Sequence, residues 1–483
     1  MDEFKRKVSV KAALVAIGLL CTIATSGCKQ SEITAQDTGN YPSNINAIVS
    51  SNCLGGDCHS SATRLNDSLD VTSWKAMMQT GRIAEVIPFR PLNSHLFQHL
   101  NNDPAINASA APLMPLGRDA LSRDDQHAFY DWIASGAPSF GGEIFYSTVP
   151  EPMLVIHQEQ DLLSVIDRTN GRLARIFVDG NDPTQGLPAL GARALASAGR
   201  YKKIFVGFAN GALRSFDGKT FARLWEVHLP NAISGLAVLP DASKGYLITT
   251  ASKDPGSYSV FDAFSLQLLR TVIDTNIQGA ESISISTDGS RAYLVCAGSD
   301  DIKIINTSND SIIGNIRCGV DVPRPPPADY VARYRPHEVA LSSDGKTMWV
   351  SLQLSNEVIA IDIETKSITR RIGVGFRPLG LALTPDDKEV WVVNENSSNL
   401  SIIDNTSGKV VGTIDSLANA PEEIVVSPDG TTFYVTCQYL AAGGHHHSTG
   451  GGPPAGVFVL DRQSRSLVKS IELPPFATSI LIP

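Results

Sequence analysis

A short unit that recurs seven times in the last two thirds of the chain constrains the fold most strongly. Each copy is an apolar strand, an Asp or Asn, a polar turn and a second apolar strand. The Asp or Asn side chain is suited to cap the turn. Successive copies lie 42 to 57 residues apart, the length of a four-stranded propeller blade. The anchor residues are Asp167, Asp217, Asp262, Asn306, Asp362, Asp404 and Asp461.

A second repeated unit precedes each anchor and supplies the other two strands. Examples are SISISTDGSRAYLVC and EIVVSPDGTTFYVTC, in which apolar and polar residues alternate around an Asp-Gly turn. Alternation indicates half-buried strands, and Asp-Gly between them indicates a hairpin. We therefore predict an all-β, seven-bladed β-propeller over residues 150–483. The first blade lacks an innermost strand, and Ala477–Pro483 is expected to supply it and close the ring.

The repeats resemble those of the YVTN-type β-propeller family over roughly 330 residues. The segment PHEVALSSDGKTMWVSLQLSNEVIAIDIETKSITRRIGVG is similar to the family's consensus. The resemblance implies the fold and leaves the function open, since such propellers serve enzymes, binding modules and scaffolds.

Ionisable residues open several innermost strands, where a propeller's central channel has its mouth. One interpretation is that they form a pocket for a substrate or a cofactor. The other is that they are the polar, hydrated wall of the channel. The candidates are His337, Glu338, Arg377 and Glu422, with Glu281 and Glu423 at equivalent positions.

Three insertions, Asp182–Gly191, Gly319–Arg335 and Ala441–Gly456, map to the same face and suggest a cap over the channel. Imidazoles bind zinc, copper or nickel, so the third insertion is either a metal site or a mobile polar loop. It contains His445, His446 and His447.

The first 28 residues have the pattern of an export signal. Basic residues precede the apolar run Ala12–Ile23. The segment Thr25-Ser-Gly-Cys28 follows this run and resembles the lipobox of bacterial lipoproteins. We expect a lipoprotein signal peptide at residues 1–27, lipidation of Cys28 and a flexible tether at 28–40; a simple secretory signal is the alternative. The protein would then lie in the cell envelope, on the periplasmic side or the outer membrane, with a lipid anchor as its membrane contact.

A haem-attachment pattern follows at Cys53-Leu-Gly-Gly-Asp-Cys58-His59. Haem c is bound by two Cys thiols and by the His after the second Cys, usually with two residues between the cysteines instead of four. A small disulfide loop is the alternative. Met114, between prolines, is suited to be the sixth iron ligand.

Helices are expected on both sides of this pattern, one at Ile45–Ser51 and one that starts after Ser122 and stops at Gly136. Three other histidines are rival sixth ligands: His95, His99 and His127. Of these, His95 and His99 stand four apart, which places them on one face of a helix.

Residues 41–140 resemble the planctomycete-type cytochrome c domain of bacterial exported proteins. The shared motifs are the Cys-Cys-His start, VIPFRPLNSHLFQHL, LMPLG and LSRDDQHAFYDWIASGAP. The resemblance implies a small all-α domain with one haem c on Cys53 and Cys58, His59 as proximal ligand and Met114 as distal ligand. The longer Cys spacing departs from the usual motif, and Pro88-Phe89 stands where relatives have Pro-Gly.

The expected function is electron transfer by an exported c-type cytochrome, with an oxidoreductase reaction at the propeller if the protein is an enzyme. Its partner would be a periplasmic redox protein or small molecule. The alternative is a non-catalytic binding or assembly module. The net charge of −9 argues against nucleic acid. Cytochrome cd-type nitrite reductases combine a c-domain with an eight-bladed propeller; with seven blades here, a second haem is not expected.

Overall fold

The computed structural model describes residues 39–54, 59, 69–81, 83–106, 108–178, 190–199, 203–250, 256–319, 330–415, 417, 420–438 and 455–483. A small helical segment lies before residue 150 and a ring of sheets after it. Within these ranges every helix is too short or too polar to span a bilayer.

The helical segment is built around an apolar cluster, here called the helical core. Its described elements are α1 (Ser43–Asn52), α2 (Trp74–Gln79), a 3₁₀ turn (Pro91–Asn93), α3 (His95–Leu100) and α4 (Arg123–Ala134). The Ser122 side chain caps α4 by accepting the backbone N–H of Asp125, as the sequence indicates. Helices α1 and α4 pack together, and Tyr41, Phe97, Phe129 and Trp132 are among the residues of the helical core.

The described residues after 150 form seven antiparallel four-stranded sheets, which confirms the seven-bladed propeller. Blade 1 contains β1 (Pro152–His157), β2 (Leu162–Asp167), β3 (Arg172–Val178) and, as its innermost strand, β28 (Ala477–Leu481). Blade 2 contains β4 (Ala192–Ala198), β5 (Lys203–Phe208), β6 (Ala212–Asp217) and β7 (Arg223–His228). Blade 3 contains β8 (Ala232–Val238), β9 (Lys244–Thr250), β10 (Ser257–Asp262) and β11 (Leu268–Ile273).

The other four blades each use four consecutive strands. Blade 4 contains β12 (Ala280–Ile285), β13 (Arg291–Cys296), β14 (Asp301–Asn306) and β15 (Ser311–Arg317). Blade 5 contains β16 (Pro336–Leu341), β17 (Thr347–Leu352), β18 (Glu357–Asp362) and β19 (Ser367–Gly373). Blade 6 contains β20 (Pro378–Leu383), β21 (Glu389–Asn394), β22 (Asn399–Asp404) and β23 (Lys409–Ile414). Blade 7 contains β24 (Pro421–Val426), β25 (Thr432–Cys437), β26 (Ala455–Asp461) and β27 (Ser466–Leu473).

The seven anchor residues cap the turn between the third and fourth strands of each blade. In every copy the Asp or Asn side-chain oxygen accepts a backbone N–H two or three residues further on. The sequence prediction for these turns is therefore confirmed.

The innermost strands of adjacent blades contact one another around the whole ring, so they surround the central axis. The ring is joined by β28, which pairs with β1 and buries Ala477 and Ile480 between blades 7 and 1. Fourth strands such as β7, β11 and β23 are mostly exposed and form the outside.

The helical segment docks on the outer strand of blade 1. The Arg172 guanidinium on β3 donates hydrogen bonds to the carbonyl oxygens of Thr80, Gly81 and Ile83 at 2.7 to 2.9 Å. Ile87 is buried in the same apolar cluster as blade residues from β1, β2 and β26. The contact is therefore stabilised both by hydrogen bonds from Arg172 to backbone carbonyls and by burial of the Ile87 side chain.

Candidate functional site

The helical core is the first candidate site, because residues of the haem-attachment pattern pack against it. Cys53 directly follows α1, and its backbone N–H donates to the carbonyl of Val49. Its side chain packs on the helical core, and burial raises the pKa of the thiol to about 11. The environment therefore favours an uncharged sulfur, which a thioether also provides.

Met114 packs against the same helical core from a different part of the chain. Its backbone N–H donates to the carbonyl oxygen of His99 at 2.8 Å. The His59 side chain is partly exposed, and its carbonyl oxygen accepts the N–H of Val71. The Cys53 and Met114 side chains thus pack on one apolar cluster.

The rival sixth ligands have other partners. His127 contacts Asp103, with its Nε2 atom 3.1 Å from the carboxylate. His95 and His99 face each other on α3, with their Nε2 atoms 2.9 Å apart. In the described part of the chain, no three His, Cys, Asp or Glu side chains come together as a metal site.

The mouth of the propeller channel is the second candidate site, and a repeated bulge builds it. The pairing of the innermost strand with its neighbour shifts near the strand's start in all seven blades. Such bulges change the direction in which side chains point. Aligning the seven registers gives a first ring of Thr478, Arg193, Ser234, Glu281, His337, Leu379 and Glu422. The second ring, one residue later, is Ser479, Ala194, Gly235, Ser282, Glu338, Gly380 and Glu423.

The first ring carries a cluster of charges between blades 4 and 5. Glu281 pairs with Arg335 at 3.0 Å and lies 3.8 Å from His337 Nε2. Burial lowers the pKa of His337; Glu281 opposes this effect, and Arg335 and Arg377 add to it. The imidazole is thereby favoured in its neutral form.

Two further polar pairs lie at the channel mouth, one in blade 6 and one in blade 7. Arg377 pairs with Glu395 at 2.7 Å, and the Gln438 amide donates to Glu422 at 2.8 Å. Burial, with a contribution from the charge of Glu395, raises the pKa of Glu422 to about 7. Glu422 therefore changes charge near neutral pH.

The second ring places two glutamates at equivalent positions of blades 5 and 7, on either side of Gly380. A Cβ atom at Gly380 would lie 2.8 Å from the Glu422 carbonyl oxygen, so glycine permits the close approach of β24. Burial raises the pKa of both acids, to about 8 for Glu423. The charge of Glu423 further raises the pKa of Glu338. Glu423 accepts the backbone N–H of Ile480 at 3.1 Å and so links two blades.

A cavity of about 330 Å³ opens beside this mouth, between blades 5 and 6. Its lining includes Arg335 and Arg377, together with Asn356, Phe376 and Leu354. Phe376 is 66% exposed and Leu354 55% exposed. Both guanidinium groups are paired with glutamates, Arg335 with Glu281 and Arg377 with Glu395, so a small anion bound here would have to share or replace these partners.

Several candidates from the sequence lie outside the described residues. They are the signal segment with Cys28, the second thiol Cys58, and His445, His446 and His447 of the third insertion. The first insertion is described only at 190–191, and the second only at Gly319 and at 330–335. Of the predicted channel residues, His337, Glu338 and Glu422 lie on the two rings, and Arg377 lies just before β20.

Sequence reasoning missed a carboxylate clamp between successive blades. Asp161, in the loop between β1 and β2, accepts the backbone N–H groups of Leu190, Gly191 and Ala192 before blade 2. Asp300 does the same for the segment before blade 5. The sequence pattern that could have indicated these contacts is an Asp or Asn just before the third strand, and this residue recurs in several blades.

Comparisons with known proteins agree with the propeller fold. Residues 331–443 match the model of the YNCE-like beta-propeller family, a match that lies wholly within the propeller. No curated protein matches the chain.

Two solved structures resemble the fold at low sequence identity. Hydrazine synthase from Kuenenia stuttgartiensis has 14% identity and a TM-score of 0.50, with 63% of this chain and 90% of that chain covered. A functionally unknown protein from Desulfotomaculum acetoxidans DSM 771 has 12% identity and a TM-score of 0.53, with 69% of this chain and 98% of that chain covered. At such identities the likeness shows the propeller fold alone.

Proposed function

We propose that this chain is an exported c-type cytochrome in which the helical segment carries one haem c and transfers electrons to a partner in the periplasm. Cys53 and Cys58 would hold the porphyrin, with His59 and Met114 on the iron. One observation carries the proposal: the Cys53 and Met114 side chains pack on a single apolar core although 61 positions separate them in the sequence. Haem iron in such a site exchanges single electrons.

The test is the full chain expressed with a cytochrome maturation system. We expect reduced-minus-oxidised bands of haem c and a mass increase of one haem. The bands should be lost on Cys53→Ser and on Cys58→Ser, but not on Cys296→Ala, which removes a buried thiol of the propeller. A colourless protein with Cys53 and Cys58 joined as a disulfide would refute the proposal.

Met114 is tested separately by Met114→Leu in the haem-loaded protein. Because a Met ligand raises the reduction potential of His-ligated haem, the variant should have a lower midpoint potential with its haem still attached. An unchanged potential would show that another residue is the sixth ligand.

We also propose that Cys28 is lipidated and anchors the protein in the cell envelope. Labelled fatty acid should be incorporated into the wild-type chain and not into Cys28→Ser. Export without labelling would instead identify an ordinary secretory signal.

A second candidate function is favoured by the cavity between Arg335 and Arg377: a propeller that binds a small organic anion without catalysis. Thermal shift with a panel of carboxylates and phosphate esters tests it. A stabilising anion whose effect is lost in Arg377→Gln supports binding, whereas a panel without effect on wild-type protein contradicts it.

A further inference from the structure

The outer strands of blades 7 and 1 form the walls of a groove, here called the 7–1 groove, which the chain itself fills. Ile87, with Ala84 beside it, packs in the apolar cluster that these two blades share. Leu173 and Ile176 on the β3 wall are buried in the same cluster. A short non-helical segment, 83–87, thus covers an apolar outer strand.

A bulge that all seven outer strands share aligns these strands residue by residue. Leu173 and Ile176 align with Leu268 and Thr271 of blade 3, and Ile273 lies two residues further on. Five other outer strands carry an ionisable residue at one or more of these three positions, namely Glu226, Arg317, Arg371, Asp415 and Glu472. Only blades 1 and 3 have uncharged residues at all three, and blade 1 is the covered one.

The aligned wall of blade 3 is apolar and exposed. Leu268 pairs with Phe261, which lies in the apolar cluster between blades 2 and 3, so this face of β11 points towards blade 2. Leu268 is 43% exposed and Ile273 is 66% exposed. The Thr271 hydroxyl lies 2.9 Å from that of Ser259, so its polar group has a partner within the blade.

The opposite wall belongs to β7 of blade 2. Val227 packs on the cluster between blades 2 and 3, and Trp225 lies two residues earlier in the strand, so both side chains face blade 3. At the position of Trp225, three other outer strands have a cation that donates to a carbonyl oxygen in the next blade: Arg270 to Asn309, Arg370 to Asn405 and Lys469 to Asn170. Trp225 replaces this polar bridge with a large side chain that is 57% exposed.

We propose that the 2–3 groove, lined by Trp225, Leu268 and Ile273, binds a short apolar segment of a partner protein. The 7–1 groove supplies the precedent, because its occupant is a non-helical segment that presents isoleucine and alanine. The blade 3 wall has no ionisable residue, so a charged segment would lose its water there without gaining a partner. An aromatic anchor beside aliphatic side chains is typical of the centre of a protein interface.

A donor for the backbone of the segment stands at one end of the 2–3 groove. In the 7–1 groove Arg172, directly before Leu173, donates to three backbone carbonyls of the helical segment. Gln267 occupies the aligned position directly before Leu268, and its side chain is exposed. Its amide N–H can donate to a carbonyl oxygen of the bound segment. The 2–3 groove therefore offers both kinds of contact that hold the segment in the 7–1 groove.

The test uses the full chain and a fluorescein-labelled peptide with the sequence of residues 83–89, IAEVIPF, as the probe. Fluorescence anisotropy should show saturable binding of one peptide per chain. Leu268→Lys and Ile273→Lys should each weaken binding about tenfold, because each places a charge against an apolar peptide. A peptide in which both isoleucines are changed to serine should not bind.

Val410→Lys is the matched control. Val410 holds the position of blade 6 that aligns with Leu268 and is similarly exposed, so its variant should bind the peptide as the wild-type chain does. Melting curves followed by circular dichroism should coincide for all these variants, because each substitution lies on an exposed strand. A loss of binding is then local to the 2–3 groove.

Three results would contradict the proposal. The first is a wild-type chain that does not bind the peptide. The second is equal binding by wild type, Leu268→Lys and Ile273→Lys, which would mean that the peptide binds elsewhere, for example by displacing segment 83–87 from the 7–1 groove. The third is a wild-type dimer in analytical ultracentrifugation that Ile273→Lys dissociates, because a second copy of the chain would then fill the groove.

Discussion

Single carboxylates determine how one blade is joined to the next. Asp300 is fully buried and follows β13, and its two oxygens accept the Tyr330 hydroxyl and three backbone N–H groups at 333–335. Charge-assisted hydrogen bonds are about twice as strong as neutral ones, and four converge on this side chain. The clamp also fixes the backbone from which Arg335 reaches Glu281 at the channel mouth.

Asp300→Ala should therefore lower the free energy of unfolding by about 2–4 kcal/mol, because it removes the common acceptor of the Tyr330 hydroxyl and three backbone N–H groups. Urea denaturation measures the loss. Asp300→Asn, which keeps one acceptor oxygen, should lose less. Asp288→Ala, in the exposed turn before β13, is the matched control, and an equal loss there would mean that Asp300 is only another turn residue.

The acids of the second ring should make the folded protein less stable as pH rises from about 4.5 to 8. The pKa of Glu423 is about 8 in the folded protein against an ordinary 4.5, so the folded state holds its proton while the unfolded state releases it. Stability is then greatest below pH 4.5 as far as this group is concerned, and it is lost as pH rises towards 8.

Glu423→Gln imitates the protonated acid and should remove this loss. At pH 9 the melting temperature of the variant should exceed that of wild type, by about 2–4 °C for each kcal/mol of unfolding free energy regained. At pH 5 the two melting temperatures should be equal. Glu364→Gln, on an exposed turn, should show no such difference. If the melting temperatures of wild type and Glu423→Gln change with pH in the same way, Glu423 is not protonated in the folded protein.

Alternation and turn residues predicted where most strands lie, but not how the innermost strands present their side chains. His337 and Glu422 could be assigned to the channel because they open strands in repeated units. The bulge that separates the two rings depends on pairing with a neighbouring strand and leaves no residue pattern of its own. The close passage of β24 beside Gly380 is likewise a tertiary contact, invisible to local periodicity.

The strand that joins the ring is held by a buried histidine. His157 at the end of β1 bonds the carbonyl oxygen of Pro475 through Nδ1 and the Ser164 hydroxyl through Nε2. Burial lowers its pKa to about 4. The unfolded state takes up a proton near the ordinary pKa of 6.5 and the folded state does not, so stability is lost as pH falls from 6.5 towards 4.

This loss should reach about 3 kcal/mol at pH 4, and His157→Gln should abolish it. The amide has a donor and an acceptor for the same two partners but does not titrate in this range. Urea denaturation at pH 7 and pH 4 compares the two chains, with His127→Gln as a control on the helical segment. If His157→Gln weakens with acid as much as wild type does, the acid sensitivity arises elsewhere.

The two parts of the chain meet away from the propeller axis. The helical segment lies on β3, and a cavity lined by His95, Gln160 and Glu472 lies between it and blades 1 and 7. Arg175 on the same strand stacks on Phe89, with its guanidinium carbon 4.6 Å from the ring centre.

Arg172 is the polar centre of this contact, and Arg172→Ala should uncouple the two parts. It removes three hydrogen bonds to backbone carbonyls, each worth about 1.5–3 kcal/mol when the donor is charged. Because blade 1 keeps its other contacts, we expect the propeller's melting temperature to change little while limited proteolysis between residues 80 and 90 accelerates. Arg223→Ala, an exposed arginine on the outer strand of blade 2, should leave the cleavage rate unchanged. Unaltered cleavage in Arg172→Ala would mean that burial of Ile87 alone holds the segment in place.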